Sequence, residues 1–147
     1  MKKLPLGVVL LAVVYFGGVH FGLIPTRDEN VASLAATDTT RLSEAYANQR
    51  SDVQVASRGR VARILPDDRD GSRHQRFILR LVSGQTVLVA HNIDIADRIA
   101  SLQVGDVVEF HGEYEWNARG GVIHWTHRDP QGRHIDGWLK HKGVTYD

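Results

Sequence analysis

From residue 53 onward the chain alternates apolar and polar side chains in short runs separated by turn residues. In residues 76–81, for example, every second side chain is a phenylalanine or a leucine. The pair Ser83-Gly84 then marks a hairpin turn into the next run. A period of two is typical of β-strands that bury one face. The pattern therefore predicts a mainly β domain over residues 53–147.

The predicted strands are short, and one helix signal interrupts them. Asn92 or Asp94 can cap a short helix over residues 95–102, between strands 3 and 4. A five-stranded sheet this small closes most economically as a barrel, because closure removes its exposed edges. The five predicted strands are residues 59–65, 76–81, 86–91, 107–116 and 122–127.

The N-terminus carries a long apolar run. Residues 4–24 contain no charged side chain and follow Lys2 and Lys3. A helix of this length spans roughly 30 Å, the thickness of a bilayer core. The flanking lysines favour a cytoplasmic N-terminus. We therefore expect residues 1–25 to be a single-pass inner-membrane anchor, with the C-terminal domain in the periplasm. The alternative is a signal segment whose cleavage near Ala35 would leave a secreted or periplasmic domain.

Residues 26–52 are polar, which is typical of a tether, and a short helix is possible near residues 41–50. The formal net charge of the chain is +1 at pH 7, so no overall field demands nucleic acid or an acidic membrane as partner. The chain contains no cysteine, which excludes disulfides, thiolate catalysis and cysteine-type zinc sites.

Two stretches of the β domain resemble a known fold. Gly59-Arg60-Val61 opens strand 1, and LQVGDVVEFHG (residues 102–112) opens strand 4. With the hairpin between strands 2 and 3, they resemble an OB-fold. That resemblance implies a small five-stranded barrel with a helix between strands 3 and 4, preceded here by the N-terminal hydrophobic helix.

Residues 64–141 also resemble a family of short exported bacterial proteins of unknown function, placed among the OB-folds. This resemblance supports the fold and implies no activity. The stretches that carry it are LPDD (65–68), GSRHQRF (71–77), VAHNID (89–94), GEYEWN (112–117) and GVIHWTH (121–127).

OB-folds commonly bind extended polymers on the face of strands 2 and 3, between loops 1-2 and 4-5. Those loops, residues 66–75 and 117–121, are polar here, although such composition is also typical of solvated turns. We expect an extracytoplasmic binding module for an oligosaccharide, an anionic polymer or a protein partner. Nucleic acid is possible but not favoured, because the only aromatic side chain of strands 2 and 3, Phe77, faces the core. The predicted ligand-binding residues are Arg73, His74, Arg76, His91, Asn92, Arg119, Trp125 and His127.

Arginines crowd the first two predicted strands, and acidic residues crowd strand 4. Strands 1 and 4 are neighbours in an OB-fold. We therefore expect these charges to pair across the sheet surface rather than leave a free basic patch.

Histidines suggest one further alternative. His127, Asp129 and His134 flank a tight turn and are candidate ligands for zinc in a metal-dependent hydrolase or nuclease, with His74 or His91 as base. No established metal-binding motif is present. The histidines can equally be structural, and the residues favour a protein that is not an enzyme and needs no cofactor. A third alternative is a structural component of an envelope assembly.

Overall fold

The computed structural model describes residues 39–147. The hydrophobic helix predicted over residues 4–24, with its role as anchor or signal, lies outside the described residues, as do residues 26–38 of the predicted tether. Within the described part of the chain, no helix combines the length and the apolar character needed to cross a membrane.

The described residues form one short helix and seven strands. The helix, α1, comprises residues 39–47. The strands are β1 (Val53–Asp68), β2 (His74–Leu81), β3 (Thr86–Asn92), β4 (Val107–Glu115), β5 (Val122–His124), β6 (Trp138–His141) and β7 (Val144–Tyr146).

Five of the strands form a ring in the order β1-β2-β3-β5-β4, which the pairing of β1 with β4 closes. β1 is long enough for two partners: residues 53–60 pair with β4 and residues 59–68 pair with β2. Gly59 belongs to both ladders, and a Cβ atom there would lie 2.9 Å from the Cβ atom of Leu79. The ladders are antiparallel except for β3 with β5, which is parallel. β6 pairs with β4, and β7 extends the sheet from β6.

Alternation places one face of each strand of the ring in a single core. The largest fully buried side chains include Tyr114, Phe77 and Phe110. α1 falls within the segment predicted as a tether, at the possible short helix, and its Leu42 and Ala45 belong to the core. This helix therefore packs against the ring.

The prediction of a helix between strands 3 and 4 is wrong, because residues 93–106 form turns. Side chains from the strands hold this loop in place of helical hydrogen bonds. The amide of Gln75 bonds both the N–H and the C=O of Ile99, at 2.9 and 3.0 Å. His91 Nε2 donates to the Asp97 carbonyl at 3.1 Å. The sequence also missed β6 and β7.

Candidate ligand-binding cleft around Trp125

Trp125 leaves the sheet directly after β5 in a left-handed backbone conformation, with φ of 53°. A bulky residue is rare in this region and is held there by its surroundings. The backbone of residue 137 packs against it so closely that a Cβ atom on Gly137 would lie 1.8 Å from the Trp125 carbonyl oxygen. The Gly137 N–H donates to the His127 carbonyl at 2.9 Å. The returning chain thus fixes where Trp125 sits.

The indole of Trp125 stacks on the imidazole of His134, with ring centroids 4.0 Å apart and an interplanar angle of 6°. His134 is held in turn by β4, because its Nε2 donates to Glu113 Oε2 at 2.7 Å. Its Nδ1 faces the Ile135 carbonyl at 2.8 Å. Burial opposes protonation, but the bonds to Glu113 and Ile135 prevail and raise the pKa of His134. The ring is therefore suited to carry a proton on both nitrogens.

Two cavities border Trp125, and Ile95 lines both of them. We call them together the Trp125 cleft. The smaller, of about 240 Å³, is lined by His74, Asn92, Ile95, His124, Trp125 and His127. The larger, of about 440 Å³, is lined by Ile95, Trp125, Asp129, Pro130, Gln131, Arg133 and His134.

The turn that walls the larger cavity is organised by one carboxylate. Asp129 accepts hydrogen bonds from the backbone N–H groups of Gln131, Arg133 and His134 at 2.9, 2.7 and 2.8 Å. These bonds lower the pKa of Asp129. An acidic residue with these bonds fixes the backbone shape of the wall to which it belongs.

The same bonds bear on the zinc alternative. Asp129 accepts hydrogen bonds from backbone amides, and His134 Nε2 donates to Glu113. His127 Nδ1 lies 2.7 Å from the Arg128 carbonyl oxygen, at hydrogen-bond distance. In residues 39–147, no three histidine, aspartate or glutamate side chains converge closely enough to hold a metal ion. The candidate triad His127, Asp129 and His134 therefore lies along one loop without forming a ligand set.

His91 has a structural position behind the cleft. It is fully buried, its Nε2 donates to the Asp97 carbonyl, and its Nδ1 accepts from the Thr126 hydroxyl at 2.8 Å. Burial lowers the pKa of His91 to about 4. The neutral ring ties the loop that carries Ile95 to the segment that follows Trp125, and it has no surface for a ligand.

The other predicted ligand residues are divided between the two ends of the ring. His74, Asn92, Trp125 and His127 meet in the smaller cavity. Arg73 lies beside them but pairs with Asp94, Nε to Oδ1, at 2.6 Å.

Arg76 and Arg119 lie outside the cleft. Arg76 Nε donates to the Pro66 carbonyl at 3.0 Å. Arg119 precedes β5, which runs parallel to β3, so it lies at the opposite end of β3 from the cleft, roughly 20 Å away. Only a ligand of that length would reach from the cleft to Arg119.

The sequence missed Ile95 and the role of Glu113. Ile95 was expected on a helix, whereas the loop presents it 45% exposed between the cavities. The pairing of Glu113 with His134 joins residues far apart in sequence, and no local pattern signals it.

The expected pairing of arginines with strand 4 is wrong within residues 39–147. There, Glu113 and Glu115 of β4 lie beside histidines: each is 3.5 Å from His124 Nε2, and Glu113 also accepts a hydrogen bond from His134. The arginines of β1 and of the end of β2 are left facing solvent.

A search among curated proteins finds no similar sequence. A family model described as "Protein of unknown function (DUF3465)" matches residues 28–147, which is most of the chain. The matched region includes α1 and all seven strands. The chain therefore belongs to this uncharacterised family.

Proposed function

We propose that the chain is an extracytoplasmic binding module with an OB-fold barrel, and that residues 4–24 hold it at the inner membrane. The strand order β1-β2-β3-β5-β4, closed by β1 with β4, supports the barrel. The uncharged run after Lys2 and Lys3 supports the membrane placement. The Trp125 cleft is the binding site.

One observation carries this proposal. Trp125 holds a strained left-handed backbone conformation, stacked on His134, where two cavities meet. Strain of this kind costs of order 1–3 kcal/mol and is concentrated at ligand sites. A tryptophan needed only for packing would be placed at lower cost on the inward face of a strand.

An oligosaccharide is the ligand class that fits this cleft best. One face of the Trp125 indole is covered by His134, and the opposite face is the electron-rich surface offered to the C–H edge of a sugar ring. Around it, His74, Asn92, Gln131 and Arg133 can hydrogen-bond hydroxyl groups. Sites of this kind combine apolar walls with a few placed polar groups.

The test is the retention of neutral oligosaccharides by the full chain in detergent micelles. Cello-, malto- and chito-oligosaccharides of increasing length serve as probes. Trp125→Asn removes the indole, and asparagine tolerates the left-handed conformation. We expect this variant to bind about tenfold more weakly and to remain folded, which a cooperative thermal unfolding transition would show.

Arg119→Ala is the matched control, because Arg119 lies at the far end of β3. It should leave short oligosaccharides unaffected and weaken only those long enough to span the face of β2 and β3. Equal binding by Trp125→Asn and the natural chain contradicts the site. No retention of any probe contradicts the oligosaccharide assignment and favours a structural role in an envelope assembly.

A further inference from the structure

Three arginines converge at the end of β2 that lies away from the Trp125 cleft. They surround a shallow cavity of about 530 Å³. We call this surface the arginine face. It is lined by Arg58, Arg60, Arg80, Val82 and Val107, with Gly59 and Leu81 beneath.

The arginine face places like charges side by side. Arg60 and Arg80 are directly opposite each other in the β1–β2 ladder. Like charges in this relation destabilise a sheet unless an anion or a counter-charge lies between them. Arg60 donates to the Gly105 carbonyl at 2.6 Å, which positions its guanidinium without neutralising it.

Counter-charge near this surface is sparse. In residues 39–147, none of these three arginines is within ion-pair distance of a carboxylate; the arginine pairs there are those of Arg73, Arg98 and Arg128. Glu109 is the register partner of Arg58 across β1 and β4, and on its other side it faces Lys140 of β6. The surface is therefore cationic although the whole chain carries a net charge of only +1.

Exposed apolar side chains lie within this basic surface. Val82, at the start of the β2–β3 turn, is 90% exposed, and Val107 is 44% exposed. One exposed valine is unremarkable. Apolar tips bordered by guanidinium groups, however, suit the interface of an anionic bilayer, where phosphates meet the arginines and the first acyl carbons meet the valines.

The chain enters the described structure behind this surface, at the inward face of β1. Thr39, the first described residue, lies 2.9 Å from Ser57, hydroxyl to hydroxyl. Ser57 immediately precedes Arg58 on β1. Residues 25–38 connect this point to the apolar run of residues 4–24, and they span at most about 50 Å when extended.

We infer that the arginine face docks on the anionic phospholipid surface of the membrane that holds residues 4–24. This inference rests on the membrane placement in the proposed function and not on the ligand of the cleft. Docking turns the start of β2 away from the bilayer by roughly 25 Å, the length of its eight residues. The Trp125 cleft, which includes His74 at that end, then faces the aqueous side.

The test uses the full chain reconstituted into vesicles that carry a quencher on the lipid headgroups. The chain has no cysteine, so a single introduced cysteine takes a fluorescent label at one site. Val82→Cys reports on the arginine face, and Ser72→Cys, exposed beside the start of β2, is the matched control. We expect strong quenching at position 82 in phosphatidylglycerol-containing vesicles, weak quenching in neutral ones, and weak quenching at position 72 in both.

Charge variants then identify the groups responsible. Arg58→Gln, Arg60→Gln and Arg80→Gln should each lower the ratio of docked to undocked chains about fivefold, and the triple variant about 100-fold. The three Arg→Lys variants should retain docking, because the attraction to the surface is electrostatic. Arg80→Gln alone keeps the test valid if Arg60→Gln disturbs its bond to Gly105. High salt should release position 82 from the bilayer.

The inference would be overturned by quenching at position 82 that is equally strong in neutral and in anionic vesicles. It would also be overturned if inorganic tripolyphosphate bound these arginines saturably and left the quenching at position 82 the same as without it. That result would show that the arginines do not hold the surface on lipid, and it would assign them to a soluble polyanion. Failure of the full chain to float with neutral vesicles contradicts only the placement of residues 4–24, since salt-sensitive recruitment to anionic vesicles would still support the face.

Discussion

His91 shows how the fold uses a titratable side chain as a structural part. The ring is fully buried and joins the Asp97 carbonyl to the Thr126 hydroxyl. A buried imidazole of this kind is held neutral, because its protonated form would lose hydration. The residue therefore links the pH of the surroundings to the stability of the walls of the cleft.

Acidification should weaken the fold through His91. Burial lowers its pKa from 6.5 to about 4, so the unfolded chain binds the proton more readily. The contribution is present in full above pH 6.5 and is lost as the pH falls towards 4, by roughly 3 kcal/mol over the whole range. Urea unfolding at a series of pH values measures this slope. His91→Gln should reduce the slope, and an unchanged slope would contradict the role of His91.

Gly137 tests the close backbone approach that fixes Trp125. Gly137→Ala places a methyl group where the Trp125 carbonyl lies, so it should loosen the stack with His134 and cost about 3 kcal/mol. Gly132→Ala, in the same loop, has free space around its Cβ atom and only a positive φ of 63° to overcome, at a cost of about 1 kcal/mol. Denaturant unfolding compares the two, and equal costs would contradict the close approach.

The sequence predicts some of the residues that line the Trp125 cleft. His74, Asn92, Trp125 and His127 meet in one cavity because β2, β3 and β5 are neighbours in the ring. The backbone of Trp125 could not be predicted, since its conformation depends on residue 137 returning to contact it. Long-range packing of this kind leaves no local pattern.

Among the elements, the loop of residues 93–106 differs most from expectation. Its cap signals are real, because Asn92 Oδ1 accepts from the Asp94 N–H at 3.0 Å and the Ala96 N–H bonds the Asn92 carbonyl at 3.1 Å. The helix does not continue because buried side chains of β2 and β3 bond the backbone further along. Tertiary hydrogen bonds thus override a local helix propensity.

Gln75 is the side chain that decides the path of this loop. Gln75→Ala would leave the N–H and the C=O of Ile99 unpaired in a buried site, at a cost of about 3 kcal/mol. Gln75→Glu keeps the acceptor but sets a carboxylate against the Ile99 carbonyl, so its loss of stability relative to the natural chain should shrink as acid protonates the carboxylate. Thermal unfolding at neutral and acidic pH checks both expectations. A neutral effect of Gln75→Ala would contradict the role of Gln75.

α1 belongs to the folded unit, although its sequence reads mainly as a polar tether. Leu42 is fully buried against the ring, so Leu42→Ala should lower the free energy of unfolding by about 3 kcal/mol. Arg41→Ala, on the exposed face of the same helix, should change it by less than about 0.5 kcal/mol. Chemical unfolding of the two variants provides the comparison, and similar values would show that α1 does not support the core.

For the whole molecule, the two surfaces of interest lie at opposite ends of β2. The Trp125 cleft occupies the end that begins with His74, and the arginine face occupies the end near Val82. Strand alternation predicts the mainly β ring and most of its core. It could not predict which arginines stay unpaired, because that depends on the register of β1 with β4 and on the histidines that engage the β4 carboxylates.

A chemical-shift map tests ligand binding in the Trp125 cleft most directly. Isotope-labelled full chain in micelles is titrated with the oligosaccharide that it retains most tightly, and the Trp125 indole signal is compared with those of Trp116 and Trp138. We predict saturable shifts at Trp125, Ile95 and Gln131, with little change at Arg80 and Val82. Shifts confined to the arginine face, or an unchanged Trp125 signal at saturation, would contradict the cleft as the binding site.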